Sequence, residues 1–451
     1  MTGQVVEGGS NNLLGDMETL SPRVPPVVGD DFQVCIHRGT QQIGGTCIEL
    51  ACRGARILLD LGLPLDAGDT EPMSLMPAVP GLHAHDPSLL ALVLSHGHAD
   101  HWGLAPHVSS ALPIVTGTVT RRILGAASAF VPGAVPVGIG GEGVPDLIDG
   151  KTIQIGPFAI TPFLVDHSAY DAHALLIEAD GRRLFYSGDI RAHGRKAVLF
   201  ERLVARPPRP IHAMLMEGSS IGRLDPGQRF PTEGAIEARL VERFVPDGFV
   251  GVCASAQNID RIVSLYRACK RTGRTLVLDL YAMEILRATE NPNLPAAGWP
   301  NLAVYVPEYQ RRHIARTKRF EIVDRYKPHR IYREKLGEFV ARAVMLFRPA
   351  MIPDIDLIPR AWEGARMIWS QWDGYLTSPA NVAFLGKLAT RTVPLEVIHT
   401  SGHASIADLQ RLVLAIEPDA LVPIHTFGGD RFADLFGSHV KRRQDGEWWM
   451  V

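Results

Sequence analysis

The apolar positions from Phe32 to about Ala213 form short runs that are broken by Gly, Pro and Asp. Short apolar runs between turn residues are typical of strands, so this part of the chain is expected to form stacked sheets. The predicted strands cover residues 46–50, 56–61, 89–94, 160–165 and 184–186.

The pattern changes over residues 232–283, where long helical periodicities alternate with apolar strands at residues 249–253 and 275–280. Alternating strands and helices predict βαβ units on a parallel sheet. The earlier pattern returns near the C-terminus at residues 395–399 and 421–425, and each of these runs ends in a histidine. A second domain is therefore expected to be inserted into the first.

These changes divide the chain into four segments. The N-terminal segment is rich in Gly, Asn, Ser and Pro without clear periodicity, which predicts a flexible leader. The predicted segments are the leader at 1–29, the first domain at 30–215 and 386–451, and the inserted domain at 216–385. A capped amphipathic helix is expected between the last two strands, because Ser405 is followed by Asp408 and by apolar residues at helical spacing.

Composition and charge narrow the class of protein. With 451 residues, of which 46% are hydrophobic, the chain is long enough for two domains with a large core. The formal charge of -2 gives no general basic excess, so any contact with nucleic acid would be confined to a local patch. Five scattered cysteines without CxxC spacing favour a reducing cytoplasm over a disulfide framework. The chain shows no secretion signal and no apolar run of about 18 residues, so neither secretion nor a membrane partner is expected.

The sequence Ser-His-Gly-His-Ala-Asp-His at residues 95–101 directly follows the predicted strand at residues 89–94. A turn after a buried strand can direct its three imidazoles and its carboxylate into one cavity. These are ligands for a borderline cation such as zinc, and a metal site with open coordination can activate water. A histidine-rich surface loop is the alternative. We predict a metal site, because burial of these groups without a metal would be costly.

Three further candidate ligands follow apolar runs: His167, Asp189 and His425. Each one alone is more often a hydrogen-bonded core histidine or a turn aspartate. Together with residues 95–101 they supply five histidines and two aspartates. Two metals about 3.5–4 Å apart require such a set, with one carboxylate bridging and a hydroxide between the ions.

The order of these motifs resembles the metallo-β-lactamase superfamily over nearly the whole chain. The resemblance implies an α/β fold, an αββα sandwich, and two divalent metal ions, with zinc as the expected metal and manganese as the alternative. It assigns one metal to His96, His98 and His167, the other to Asp100, His101 and His425, and the bridging position to Asp189. It also implies that Asp60, in the Leu-Asp-Leu-Gly segment at residues 59–62, supports the ligands without binding metal.

Three segments resemble the β-CASP branch of that superfamily, and especially the ribonuclease J group: residues 254–261, 279–284 and 401–405. This likeness implies an inserted βαβ-type β-CASP domain and cleavage of RNA by attack of the metal-bridging hydroxide on phosphorus. His403 would be the general acid, Glu217 would orient it, and Asp100 would complete the catalytic set. A helix or turn carboxylate is the alternative interpretation of Glu217.

The segment at residues 401–405 has a second expected role. Backbone N–H groups at the start of a helix present unpaired donors, which bind phosphate oxygens. The predicted phosphate-binding residues are Ser401, Gly402, Ala404 and Ser405. A well-capped helix is the alternative, and both interpretations can hold at once.

Two features of the inserted domain bear on RNA contact. A basic run consists of Arg311, Arg312, His313, Arg316, Lys318 and Arg319. It could contact phosphates, although such runs are also typical of solvated helix faces. Downstream, Trp362, Trp369, Trp372 and Tyr375 offer either stacking surfaces for bases or packing surfaces. The segment at residues 370–375 does not match the pattern of the ribonuclease J group.

Three functions are compatible with these observations. The leading one is a ribonuclease, exonucleolytic or endonucleolytic, that acts on single-stranded RNA, with DNA as an alternative substrate. The second is a small-molecule ester, lactone or thioester hydrolase at the same metal site, and the third is an inactive binding or scaffold protein. The size of the inserted domain argues against the second, and the complete ligand set argues against the third. A homodimer stays open. The ribonuclease J group usually carries an additional C-terminal domain, whereas this sequence ends soon after residues 448–450, so processive 5′-exonuclease action also stays open.

Overall fold

The structure is a computed structural model that describes residues 31–131 and 143–451. The predicted leader at residues 1–29 lies outside the described residues. The α-helices are α1 (Ala99–Trp102), α2 (Thr118–Ser128), α3 (Ala197–Ala205), α4 (Glu233–Phe244), α5 (Ile259–Thr272), α6 (Leu280–Ala288), α7 (Glu308–Thr317), α8 (Phe320–Arg325), α9 (Arg333–Glu338), α10 (Ile352–Asp356), α11 (Pro379–Ala389), α12 (Ile406–Ile416) and α13 (Phe432–Phe436). Short 3-10 helices occupy Pro72–Leu75, Ala105–His107, Val340–Arg342, Pro349–Met351, Asp373–Thr377 and Gly429–Arg431.

Two six-stranded sheets pack face to face. The first contains, in spatial order, β19 (Trp448–Met450), β1 (Gln33–Arg38), β2 (Cys47–Cys52), β3 (Ala55–Leu59), β4 (Leu89–Val93) and β5 (Ile114–Val115). The second contains β18 (Ala420–Ile424), β10 (Ala213–Glu217), β9 (Arg182–Tyr186), β8 (His173–Ala179), β7 (Phe158–Leu164) and β6 (Ile153–Ile155). Apolar side chains from both sheets, including Leu50, Val93, Ile177 and Leu215, form one core between them.

The outer faces of both sheets are also covered. Helices α3 and α12 bury Phe200 and Leu409 against the second sheet. Leu104, just after α1, packs with Leu58 and Leu92 on the outer face of the first sheet. The predicted αββα sandwich is therefore confirmed.

The third sheet has seven strands, and all of its strand pairs are parallel. It contains, in spatial order, β14 (Arg330–Ile331), β13 (Leu302–Tyr305), β12 (Thr275–Leu278), β15 (Ala343–Leu346), β11 (Val250–Cys253), β16 (Arg366–Trp369) and β17 (Leu395–Val397). Helices α4, α5 and α6 belong to one apolar cluster on this sheet, and α10 and α11 belong to another. Helices on both faces are usual for parallel sheets, because the connections between parallel strands cross over the sheet.

One strand lies in a different sheet from the one its sequence pattern predicts. The run at residues 395–399 was expected in the final part of the first domain, but β17 pairs in parallel with β16, with Leu395 opposite Met367. The expected boundary at residue 385 falls within α11, and the third sheet continues beyond it. A short apolar run does not specify its sheet, because its pairing partner is distant in sequence.

The predicted helix after Ser405 is confirmed. Helix α12 begins at Ile406, the Asp408 N–H donates to Ser405 Oγ at 3.3 Å, and Ser405 Oγ donates to Asp408 Oδ2 at 2.6 Å. Among the described residues, the structure contains no helix with the length and apolar character needed to cross a bilayer.

Candidate metal centre

The predicted ligands follow four strands whose ends meet at one edge of the sandwich. Residues 95–101 follow β4, and their last three residues belong to α1. His167, Asp189 and His425 follow β7, β9 and β18, which run in the same direction within the second sheet. The carboxyl ends of these strands therefore point to the same place, which is why residues so far apart in sequence meet.

The first group of candidate ligands consists of His96, His98, His167 and Asp189, and one potential ligand atom from each lies within 4.8 Å of the others. Nε2 of His96 and Nε2 of His167 lie 3.7 and 3.8 Å from Asp189 Oδ2. His98 Nδ1 lies 3.0 Å from His167 Nε2. Tetrahedral ligands about 2.0–2.1 Å from one zinc ion would be about 3.3–3.4 Å apart, so these spacings suit a single cation.

The second group consists of Asp100, His101, Asp189 and His425. Nε2 of His101 and Nε2 of His425 lie 3.3 and 3.8 Å from Asp189 Oδ1. His425 Nε2 also lies 3.8 Å from Asp100 Oδ2. Asp189 thus turns one carboxylate oxygen to each group, which is the arrangement expected of a bridging ligand.

The centre contains buried polar atoms that have no hydrogen-bond partner within residues 31–131 and 143–451. They are Nε2 of His96, His101 and His425 and both carboxylate oxygens of Asp189. Buried polar atoms are normally paired, because an unpaired one costs about 1–3 kcal/mol. Five such atoms that converge on one place fit metal ions, and the nitrogen and oxygen donors are those that divalent cations accept.

Electrostatics also favours cations here. Burial lowers the pKa of His96 and of His167 well below 6.5, and it lowers the pKa of His98 to about 4. These imidazoles are therefore in the neutral form that binds metal. At His101 burial acts in the same direction, but nearby carboxylates, led by Asp189, outweigh it and raise the pKa well above 6.5. The second group thus carries negative charge that a metal would neutralise.

Asp60 supports this centre from behind. It is fully buried and has a left-handed φ of 57°. Its Oδ2 accepts hydrogen bonds from His101 Nδ1 at 2.7 Å, from Ser95 Oγ at 2.7 Å and from the Tyr186 hydroxyl at 2.5 Å. Its Oδ1 accepts the Ser95 N–H at 2.7 Å. These bonds hold the His101 ring with Nε2 towards the centre, as such outer partners do for metal-binding histidines.

In His167 and His425, the ring nitrogen that points away from the centre, Nδ1, also has a hydrogen-bond partner. His167 Nδ1 donates to the Gly402 carbonyl at 2.5 Å. His425 Nδ1 lies 3.0 Å from Thr46 Oγ1, and the His425 N–H donates to the Gly39 carbonyl at 2.7 Å. Such contacts fix the ring orientation and leave Nε2 free to face a metal.

His403 and Glu217 form a pair beside Asp189. His403 Nδ1 lies 3.0 and 3.2 Å from the two Glu217 oxygens and 3.7 Å from Asp189 Oδ2. Glu217 is buried and also accepts the Ile190 N–H at 2.9 Å and the Ser219 N–H at 3.3 Å. Burial lowers the pKa of His403, but the carboxylates of Glu217 and Asp189 outweigh it and raise the pKa to about 9. Because Nδ1 faces Glu217, Nε2 is the nitrogen available to a substrate.

The predicted phosphate-binding segment has two parts. Ser401 and Gly402 are half-buried, whereas Ala404 and Ser405 are buried. The Ser405 hydroxyl is already engaged with Asp408 at the start of α12. The accessible part of this segment is therefore its beginning.

A buried ion-pair network lies behind the centre, and the sequence analysis did not predict it. Arg191 is fully buried, and its guanidinium donates to Asp166 Oδ1 at 3.1 Å, to Asp260 Oδ2 at 2.5 Å and to the Ser401 carbonyl at 3.3 Å. It thereby joins the residue before His167 to helix α5 and to the phosphate-binding segment. The sequence signal was weak, since an arginine two residues after a predicted ligand does not reveal partners this distant.

The basic run is partly neutralised by carboxylates. Arg311 and Arg312 pair with Glu308 at 2.7 and 2.9 Å, and Arg319 pairs with Glu321 at 3.2 Å. Exposed pairs of this kind contribute little to stability. They do reduce the net positive charge that this run presents.

Residues 56–229 match the family described as Beta-lactamase superfamily domain. With the αββα sandwich and the histidine and aspartate centre, this match shows that the chain carries a domain of the metallo-β-lactamase superfamily, a fold that implies divalent metals. A crystal structure of a protein of unknown function from Enterococcus faecalis has a TM-score of 0.73 and 22% identity, and the match covers 93% of this chain and 100% of that chain. At this identity the similarity concerns the fold alone.

The chain is also similar to ribonuclease J. The protein of that name from Sinorhizobium meliloti is 22% identical over 386 residues, which cover 82% of this chain and 63% of that protein. Ribonuclease J of Mycobacterium tuberculosis is 25% identical over 278 residues, which cover 57% of this chain and 46% of that protein. An RNase J-like protein of Methanocaldococcus jannaschii is 27% identical over 164 residues, which cover 34% of this chain and 35% of that protein. The chain thus spans less than two thirds of the length of these relatives.

Proposed function

We propose that the protein is a two-metal ribonuclease that hydrolyses phosphodiester bonds of single-stranded RNA. The observation that carries this proposal is the His403–Glu217 pair, whose imidazole lies 3.7 Å from the Asp189 carboxylate that both ligand groups share. Phosphodiester cleavage needs a proton donor next to the metals, because the departing ribose oxygen is strongly basic. The similarity to ribonuclease J points to the same substrate.

Seven residues would hold the metal ions. One ion would bind His96, His98 and His167, the other would bind Asp100, His101 and His425, and Asp189 would bind both. Zinc suits this mixture of imidazole and carboxylate donors, and manganese is the alternative. When bound, two such ions lower the pKa of a coordinated water and polarise the phosphoryl group.

The chain itself supplies the proton and positions the substrate. His403 would donate a proton from Nε2 to the departing oxygen, while Glu217 holds Nδ1 and stabilises the imidazolium. The backbone at Ser401 and Gly402 would contact a phosphate oxygen near the first turn of α12, where the helix dipole favours an anion.

We further propose that residues 216–385, together with β17, form a β-CASP domain that binds RNA above the centre. The strands of its sheet come between β10 and β18 in the sequence. β10 ends at Glu217 and β18 ends just before His425, so both strands end at the candidate metal centre. Seven strands with helices on both faces offer a long surface for a polymer. A small ester, lactone or thioester needs only a pocket that encloses it.

The test is cleavage of a 5′-monophosphorylated single-stranded RNA labelled at its 3′ end, by protein whose metal content has been measured. We expect metal-dependent cleavage that is lost in Asp100→Ala, and the product ladder separates exonucleolytic from internal cutting. No cleavage by fully metallated protein would contradict the proposal. Hydrolysis of esters, lactones or thioesters by the same sample would then favour a small-molecule hydrolase, and its absence a binding or scaffold protein.

A further inference from the structure

The four aromatic residues downstream of the basic run lie in two different environments. Trp369 is buried, and Trp362 donates its Nε1–H to Asp356 Oδ1 at 2.8 Å. Trp372 and Tyr375, in contrast, are 40% and 45% exposed. The first two are therefore packing residues, whereas the other two present their rings to solvent.

Trp372 and Tyr375 form a continuous aromatic surface with Arg223. Their ring centroids are 5.2 Å apart at an interplanar angle of 78°, and the guanidinium carbon of Arg223 lies 4.9 Å from the centre of the Trp372 ring. The Trp369 Nε1–H donates to the Trp372 carbonyl at 3.0 Å, which holds the turn. A Cβ on Gly374 would overlap the indole, so glycine allows the Trp372 ring to lie against its own turn. The surface is thus formed before any ligand binds.

This aromatic surface lies beside the metal centre. Arg223 belongs to the loop after β10, the strand that ends at Glu217. Burial and the negative charge of Asp100 raise the pKa of Tyr375, and Arg223 opposes them. The contact with Arg223 connects the rings to the loop that leaves the strand carrying Glu217, the partner of His403.

We propose that the aromatic surface of Trp372 and Tyr375 binds an unpaired base next to the scissile phosphate, with one ring stacked on the base and the other against its edge, and that Arg223 contacts a neighbouring phosphate. This inference rests on the proposed ribonuclease function and adds a requirement for an unpaired nucleotide at one position. Aromatic rings bind any base through its π face, whereas a base within a duplex has both faces covered. A guanidinium that lies over a ring keeps its N–H donors around the edge of its own plane, where they can reach an anion.

The test compares RNA oligonucleotides that each carry one abasic nucleotide, at successive positions around the cut. For the wild type, one position should reduce kcat/KM by about 5- to 150-fold, the usual range for one stacked base. Trp372→Ala should weaken cleavage of intact RNA, mainly through KM, and the abasic nucleotide at that position should then cost clearly less than it costs the wild type. Trp372→Phe keeps a ring and should retain most of the discrimination.

The matched control is Tyr332→Ala. Tyr332 is 58% exposed and also lies under an arginine, with the Arg330 guanidinium carbon 4.7 Å from its ring centre, but it follows β14 at the far edge of the third sheet. The Tyr332→Ala protein should show the same dependence of kcat/KM on the position of the abasic nucleotide as the wild type. A wild type that cleaves RNA with equal tolerance at every abasic position would overturn the inference alone. A Trp372→Ala protein whose kcat/KM falls by the same factor on intact RNA and on every abasic RNA would also overturn it, because a uniform loss indicates that Trp372 has a structural role only. Absence of RNA cleavage by the wild type would overturn the proposed function and this inference together.

Discussion

Replacement of Asp60 by asparagine tests how the centre is held. Oδ2 of Asp60 accepts three hydrogen bonds, from His101, Ser95 and Tyr186, whereas Oδ1 accepts only the Ser95 N–H. An asparagine would therefore place its NH₂ group at the Oδ1 position, where a single donor opposes it. The variant keeps the bond to His101 but loses the negative charge behind that ring and leaves the Ser95 N–H and the new NH₂ group without acceptors.

The expected magnitudes follow from these two losses. Each unpaired buried donor should reduce the free energy of unfolding by about 1–3 kcal/mol. Removal of the outer partner of a metal-binding histidine typically weakens metal binding by about 10–100-fold, because the ring becomes less basic and less well oriented. Asp60→Asn should therefore show both a modest loss of stability and a clear loss of metal affinity.

The assay is competition with a chelator of known affinity, together with chemical denaturation of the metal-free proteins. Asp354→Asn is the matched control, because Asp354 is 4% exposed and accepts the Tyr305 hydroxyl at 2.9 Å and the Glu308 N–H at 3.0 Å in a different part of the fold. The control should lose comparable stability and bind metal as the wild type does. Wild-type metal affinity in Asp60→Asn, or an equal loss in the control, would refute the reasoning.

Three further predictions concern Asp189, the N-cap of α12 and the buried carboxylate of Glu233. Asp189→Ala should lose both metals and RNA cleavage, because the side chain faces both ligand groups; metal analysis that finds two ions per chain would contradict this. Ser405→Ala should lower the free energy of unfolding by about 0.5–2 kcal/mol in a denaturant titration, as loss of an N-cap does, and an unchanged midpoint would exclude the cap. Burial raises the pKa of Glu233, but Arg261 and Arg191 outweigh it and lower the pKa from 4.5 to about 2. Glu233 therefore stabilises the fold above about pH 4.5, and this contribution disappears as the pH falls towards 2. Glu233→Gln should be less stable than the wild type at pH 7 and should lose less stability between about pH 4.5 and 2. The same dependence of stability on pH in both proteins would count against the ion pairs.

The sequence predicted the centre well because the chemistry there is concentrated in short segments. Residues 95–101 alone contain four candidate ligands, and each remaining candidate lies at the end of a recognisable apolar run or within three residues of it. The single-residue signals at His167, Asp189 and His425 became informative only in combination. The structure brings all seven candidate ligands together, and their metal-binding roles stay predictions that metal analysis can test.

The sequence could not predict the contacts that surround the centre. Tyr186 and Thr46 contact Asp60 and His425 across more than 100 positions of the chain, and no local pattern marks such pairs. The placement of β17 was missed for the same reason, since a short strand is defined by its partner. Trp369 and Trp372 belong to the same aromatic segment of the sequence, and only the three-dimensional structure shows that Trp369 is buried whereas Trp372 is exposed.

The most direct test of a two-metal ribonuclease is the rate of RNA cleavage by His403→Ala, with bound metal counted in the same sample. His403 lies outside the two groups that would hold the ions, so the variant should keep two metals per chain. Its cleavage rate should fall by about 10²–10⁴-fold, the usual contribution of a general acid. Cleavage at the wild-type rate by fully metallated His403→Ala would contradict the proposed mechanism.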